Sequence, residues 1–282
     1  MSRSAPAASE PAVIEIRPST GFFPGLGLRE LWNYRELGLF FALRDLQLRY
    51  KQTFFGVAWT LLQPLAAAAV FAFTLGKLAD LPSDGLPYGV FVYSGVIVWT
   101  FVATGLEAAA RSLVEDRSLV ERVYFPRLLA PIAAVLPGLL DLAISFAVLG
   151  VFMAVADVAP SEAILLLPLA VLAAVIVAAG AGIWLCALNV QYRDVRHALT
   201  FLIQIWFFAS PVVISSSIID GGWRYIYALN PMVGALEFFR WTAVGGPPPG
   251  APALLSGLIG AALVIAAVVY FRRVERRFAD VI

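Results

Sequence analysis

Few side chains in this sequence could do chemistry, and their spacing argues against most of it. The single histidine, His197, follows Arg193, Asp194 and Arg196 with no second histidine or cysteine nearby. A zinc centre takes three or four such ligands, so no metal site is expected. The lone cysteine, Cys186, sits in an apolar run and has no disulfide partner in the chain. Gly76-Lys77 lacks both the upstream glycine and the following hydroxyl of a phosphate-cradling loop. No Gly-x-Ser nucleophile turn meets a histidine partner inside an apolar run. The chain is therefore expected not to be an enzyme and not to hydrolyse ATP itself.

What remains is charge and aromatic surface in apolar surroundings. Asp141 lies inside a long apolar run. A carboxylate there either relays a proton or ion, or pairs with a polar group across a bundle. Glu107 and Arg111 stand at i and i+4, and Glu237 and Arg240 at i and i+3; each pair can bridge along a helix. Aromatic residues gather at Tyr88, Tyr93, Trp99 and Phe101, and again at Trp206, Phe207 and Phe208. A third group is Trp223, Tyr225, Tyr227, Phe238, Phe239 and Trp241. Rings with a polar edge suit stacking under sugars in a wet passage. They equally mark a membrane interface.

The elements that hold these residues follow from composition. Of 282 residues, 61% are hydrophobic and only 14% charged, and mean hydropathy is +0.84. Soluble chains carry about 25% charged residues. This chain has too few to cover a water-soluble body, which excludes an ordinary soluble enzyme, a disordered chain and a disulfide-rich secreted domain. A net charge of +1 excludes a nucleic-acid binder that rests on bulk charge. Apolar runs long enough to cross a bilayer, about 20 residues each, occupy 54–75, 88–110, 128–155, 163–188, 198–214 and 253–271. They are too long, and alternate too rarely, for barrel strands. The expected fold is an all-α integral membrane protein with six transmembrane helices.

Residues 223–244 are long enough for a seventh span, yet they hold Arg224, Asn230-Pro231, Glu237 and Arg240. Each charge at the bilayer centre costs roughly 2.5 kcal/mol or more, and proline breaks a continuous helix. Topology decides the matter. With six spans and both termini in the cytoplasm, only Lys77, Arg224 and Arg240 of the 20 basic residues fall outside. A seventh span would put Arg272, Arg273, Arg276 and Arg277 outside. The segment 223–244 is thus expected to be a re-entrant pair of half-helices, broken at Asn230-Pro231, between the fifth and sixth spans. Non-helical backbone at that depth must face protein or a water-filled cavity.

Residues 1–27 carry no apolar core and are expected to be a disordered tail. Over 28–53, Leu28, Trp32, Leu39, Leu43, Leu46 and Tyr50 recur every three to four positions. That pattern reads as an interfacial amphipathic helix on the inner leaflet, or as an ordinary cytoplasmic helix. Residues 272–282 form a basic cytoplasmic tail.

Several motifs in this order resemble the membrane subunit of ABC-2 type polysaccharide exporters, the permeases for O-antigen, teichoic acid and related lipid-linked polymers. They begin with Arg44-Asp45, Arg49-Tyr50-Lys51-Gln52-Thr53, Gly56, Trp59 and Gln63-Pro64. Val123-Tyr124-Phe125-Pro126-Arg127 and Ala187-Leu188-Asn189-Val190-Gln191-Tyr192-Arg193-Asp194-Val195 follow. Trp206-Phe207, Ser210-Pro211, Leu229-Asn230-Pro231 and Phe239-Arg240 come next, and Phe271-Arg272-Arg273-Val274-Glu275-Arg276-Arg277-Phe278-Ala279-Asp280 closes the series.

The resemblance implies a homodimer in the bacterial plasma membrane, with two copies of a cytoplasmic ATP-binding subunit that hold the ATP and magnesium. This chain itself would carry no cofactor. It also implies a coupling helix in the 111–127 loop. There Leu113, Val120 and Tyr124 can share a face beside Arg117 and Glu121, a short amphipathic surface for a partner groove; a solvated loop is the plainer reading. The broken outer helices would form a gate. Tyr93, Trp99, Trp206, Phe207, Asn230, Pro231, Glu237, Phe238, Phe239, Arg240 and Trp241 are then candidates to line the channel or its outer mouth. Arg49 and Lys51 either receive a lipid pyrophosphate where the substrate enters, or merely enforce topology.

A long glycan cannot be occluded within one bilayer thickness, so a continuous channel at the dimer interface is the workable scheme. An ABC-2 permease for a small lipid or drug is the alternative within this class. An ion-coupled secondary transporter would rest on Asp141 alone.

Overall fold

The computed structural model describes residues 28–51, 56–115, 125–192, 194–275 and 278. The expected tail over 1–27 lies outside these described residues. Among the described residues every regular element is helical. In chain order they are α1 (Leu28–Asn33), α2 (Arg35–Lys51), α3 (Gly56–Phe71) running into a π-helical stretch (Ala72–Leu78), and α4 (Tyr88–Glu115). Next come α5 (Leu129–Val135), α6 (Gly138–Val155), a 3₁₀ turn (Ile164–Leu166) leading into α7 (Leu167–Gln191), and α8 (Val195–Phe208). The chain ends with α9 (Trp223–Tyr227), α10 (Pro231–Val244) and α11 (Ala251–Val274).

The 28 residues of α4 make a rod of about 42 Å that runs through the middle of the bundle. It packs on α3, α5, α6, α7 and α10, which is why it is buried along most of its length. In hydrocarbon, helices associate through close van der Waals approach rather than through exclusion of water, which favours small residues at the crossings. Gly182 on α7 is one such position. A Cβ there would lie 2.6 Å from the Ala109 Cβ on α4, so any larger residue must push the two helices apart.

Among the described residues, five stretches are long and apolar enough to cross a membrane: Leu61–Leu78, Tyr88–Glu115, Leu129–Val155, Ile164–Gln191 and Ala251–Val274. The third is two helices, not one. Pro137 has no N–H to donate, and the ladder tightens to three-residue steps at Leu136, Leu139 and Leu140. Over the expected fifth span, 198–214, the helix is shorter than the apolar run. That helix, α8, has 14 residues, about 21 Å, and ends where Ser210-Pro211 cannot continue it. The five long spans are therefore joined by one shorter apolar helix.

Chain direction shows how that short helix is used. Arg272 near the end of α11 reaches Glu30 of α1 at 3.4 Å, so the first and last helices share one end of the bundle. The same end holds Arg127, whose Nη1 donates to the Glu275 carbonyl at 2.8 Å. Five traverses would leave the chain at the other end. The segment from Val195 to Val213 makes the remaining one, because Tyr88 Oη, at the start of α4, donates to the Val213 carbonyl at 2.7 Å.

The end shared by α1 and the last turn of α11 is called the terminal end below, and the opposite one the far end. Beyond Val213 the chain turns back. The step at Asn230-Pro231 separates α9 from α10, with the Asn230 side chain capping α10 by accepting from Met232 N at 3.0 Å. Proline suits the first helical position, where its missing donor is not needed. Ser256 Oγ donates to the Asn230 carbonyl at 2.7 Å, which places the step about 8 Å below the start of α11. From there α10 climbs back to the far end, closing at Gly245 in the left-handed region (φ 73°).

Candidate functional site

Two groups of polar side chains stand out against this apolar frame, one at each end. At the far end the loop 209–217, which runs into a 3₁₀ turn at Ser216–Ile218, is held by side chains from α10, from its cap and from the turn before α4. Asn230 does most from below. Its Oδ1 accepts from Trp206 Nε1 at 2.8 Å, and its Nδ2 donates to the Ala209 carbonyl and to Ser210 Oγ, both at 2.9 Å. Arg240 holds the same segment from α10. Its Nη1 donates to the Pro211 carbonyl at 2.7 Å and its Nη2 to the Val212 carbonyl at 2.6 Å. Its guanidinium carbon also sits 3.7 Å from the centroid of the Phe91 ring. Asp84, in the turn before α4, accepts from Ser217 Oγ at 2.7 Å and also from Ser215 Oγ.

This geometry corrects the expected Glu237–Arg240 pair. Arg240 is only 5% exposed and spends its donors on backbone carbonyls that α8 and the Pro211 turn leave unmet. Glu237 instead accepts from Ser216 Oγ. The planar fork of arginine explains the choice, since it can serve two neighbouring carbonyls at once. A Cβ at Gly95 would fall 2.2 Å from the Val212 carbonyl oxygen and 2.4 Å from Arg240 Nη2. Only glycine leaves room for the clamp against α4.

The aromatic candidates divide by burial. Tyr93 is fully buried, lies 5.0 Å from Phe152 ring to ring, and donates to the Ser145 carbonyl at 3.4 Å. Phe239 is also buried, edge-on to Phe146 at 6.2 Å. Against the expectation of channel-lining, both rings fill the interior of this chain's own helix bundle. Trp99 is buried as well, edge-on to Trp206 at 5.8 Å and to Phe207 at 5.6 Å. Trp206 and Phe207 remain partly exposed, and Phe208 beside them is 69% exposed. Phe238 and Trp241 stack 5.9 Å apart and are half-buried. Asp84, Tyr88 and Ser256 belong to this constellation although the sequence does not single out their contacts, which span 22 residues or more of chain.

At the terminal end Asp141 meets the end of α2. Arg49 pairs with its Oδ2 and Tyr50 donates to its Oδ1. Pairing across the bundle is therefore the arrangement found for Asp141. Arg49 keeps 39% of its side chain exposed, and Lys51 is exposed. Arg49 also lines a cavity of about 350 Å³ whose other charged and polar walls are Arg44, Asp45, Ser112 and Glu115. With one partner so open to water, the bridge contributes about 1 kcal/mol or less. Asp141→Asn is thus expected to leave the protein folded with a nearly unchanged melting temperature. A collapse of the fold in a thermal melt would refute the weak-bridge reading.

Among the docking candidates, Leu113 is fully buried with Phe125 and Ile183 in the cluster at the terminal end. It anchors the last turns of α4 and has no free face for a partner, which corrects its place in the expected surface. Arg117, Val120, Glu121 and Tyr124 lie outside the described residues. Glu107 and Arg111 pair at 2.6 Å along α4, as their spacing predicts.

With these positions in place, similarity to known proteins can be set beside them. The sequence profile described as ABC-2 type transporter matches residues 39–244. An O-antigen export system permease protein, RfbA of Myxococcus xanthus, is 28% identical over 258 residues, covering 90% of this chain and 98% of that protein. RfbA of Klebsiella pneumoniae is 24% identical over 242 residues, 85% of this chain and 92% of its own length.

Proposed function

The chain belongs to the ABC-2 type transporter family, and from that premise we propose that it exports a lipid-linked polysaccharide. In this reading it is the permease subunit of an ATP-driven exporter in a bacterial inner membrane, with both termini in the cytoplasm. Similarity to O-antigen export permeases along 90% of the chain carries it. Two copies pair around a continuous passage, and each rests on a cytoplasmic ATP-binding subunit through the 111–127 loop. Arg49 and Lys51 meet the anionic lipid headgroup at the terminal end.

The uncovered face of α3 and α8 supports the pairing. The two helices are neighbours through Phe71 and Phe207, 5.7 Å apart. Much of their remaining surface is exposed, including Gln63 and Thr74 on the first span and His197, Thr200 and Gln204 on α8. His197, Gln204 and Phe208 share one face of α8, since spacings of seven and four return to nearly the same angle. An amide held against lipid tails lacks hydrogen-bond partners and costs several kcal/mol. Gln63 and Gln204 are better placed beside water or a second polar chain. Phe208 on the same face offers a ring to passing sugars.

Two measurements test the reading. Deleting the gene should abolish surface polysaccharide while lipid-linked polymer accumulates on the cytoplasmic leaflet; unchanged surface polymer would defeat the export reading. Orientation is tested by cysteines at Glu162, Asp220 and His197, all exposed, with the native Cys186 buried and silent. An impermeant thiol reagent added outside intact cells should label the first two and spare the third. The reverse pattern would invert the topology.

A further inference from the structure

Behind α10, on the side away from its clamp, a groove of about 570 Å³ opens between α7 and α11. Its rim is Leu169 and Leu172 on α7 and Leu254 and Leu258 on α11, all exposed. Its back wall is the Pro231, Gly234, Ala235 and Phe238 face of α10. These positions recur at three to four residues along one side of α10, with Pro231 and Phe238 part-exposed and Gly234 and Ala235 buried between them. Small residues, Gly257 and Ala253 among them, make it deep. Its lining is almost wholly apolar.

We propose that this groove holds one acyl chain of a bilayer phospholipid from the far-end leaflet, and that the chain completes the seat of α10. The groove lies beside the far-end halves of two membrane-crossing helices, α7 and α11, so the medium at its mouth is hydrocarbon. It also faces away from the α3–α8 surface. On α11, Leu263, which packs in the cluster that also holds Leu199 and Trp206 of α8, is nine residues from Leu254 and thus on the opposite face. A phospholipid of the surrounding bilayer, rather than a substrate in the passage, is what reaches this side. Left empty, the groove would leave the part-exposed Pro231 and Phe238 of α10 short of contact atoms. An acyl chain restores that packing without any polar partner. The assignment does not depend on which substrate is exported.

Gly257 offers a direct test. A Cβ there meets nothing within 4 Å, so Gly257→Leu projects into the groove without disturbing the helix. Gly150 on α6 is open in the same way, and Gly150→Leu serves as the control. The full chain is placed in nanodiscs of phosphatidylethanolamine bearing a diazirine on one acyl chain, irradiated, and mapped by mass spectrometry. Label is expected at Gly234–Phe238 and Leu254–Leu258 in the parent and in Gly150→Leu, and is lost in Gly257→Leu. Adding phospholipid to detergent-purified protein should raise the melting temperature of the parent, as any native-state ligand does, and leave that of Gly257→Leu unmoved. Label spread evenly over the exposed apolar faces of the parent would overturn the proposal. So would groove label that survives in Gly257→Leu.

Discussion

Replacing Arg240 by leucine is expected to destabilise the protein by about 3 kcal/mol or more. Two short hydrogen bonds from a charged donor are lost, at roughly 1.5 kcal/mol or more each, and the Pro211 and Val212 carbonyls are left buried without partners. For a chain of this size each kcal/mol moves the melting temperature by about 2–4 °C, so a drop near 10 °C is the scale to look for. Arg240→Lys should recover little, because an ammonium cannot span two carbonyls in one plane. Glu237→Gln separates this account from an ion-pair account. Glu237 touches Ser216 rather than Arg240, so its amide variant should melt close to the parent. If Glu237→Gln falls as far as Arg240→Leu, the clamp is an ion pair after all.

Asn230→Ala should be nearly as costly, at about 2–4 kcal/mol. The side chain makes one helix cap, worth about 1 kcal/mol, and three further hydrogen bonds to Trp206, Ala209 and Ser210 at about 1 kcal/mol each. Asn230→Asp makes the sharper comparison. It keeps acceptors for Met232 N and Trp206 Nε1 but loses the amide donor, and it turns an anion toward the Ala209 carbonyl. The cap survives and the tether to 209–210 does not. If the proposed passage opens at the far end, both variants are expected to conduct ions more readily than the parent in planar bilayers without ATP, because α10 loses its link to α8. Parental conductance in both, alongside a lowered melting temperature, would make Asn230 a stability residue with no part in closure.

These two side chains also show how differently sequence and tertiary structure bear on one protein. Asn230-Pro231 was legible as a helix break and start because both properties are local. Proline cannot continue the preceding turn, and asparagine caps the next within two residues. The long apolar runs were legible for a similar reason: a bilayer imposes a length and a composition on each crossing, whatever its neighbours are. So the all-helical membrane class, the break in 223–244 and the Glu107–Arg111 pair needed no fold to be seen.

For Arg240 the sequence points to Glu237, its nearest opposite charge, while its real partners lie about 30 residues away on a turn. Tyr93 and Phe239 are ambiguous in the sequence because an aromatic ring looks the same whether it faces water, lipid or core. Only the packing of α4 against α6 and α10 put them inside. Asp141 could equally have been a relay or a partner until α2 folded back along α5 and brought Arg49 and Tyr50 to it. A bilayer acts on each segment separately, and so its demands are written in each segment. The partners of a buried charge depend on which segments become neighbours, and that was settled only when the helices packed.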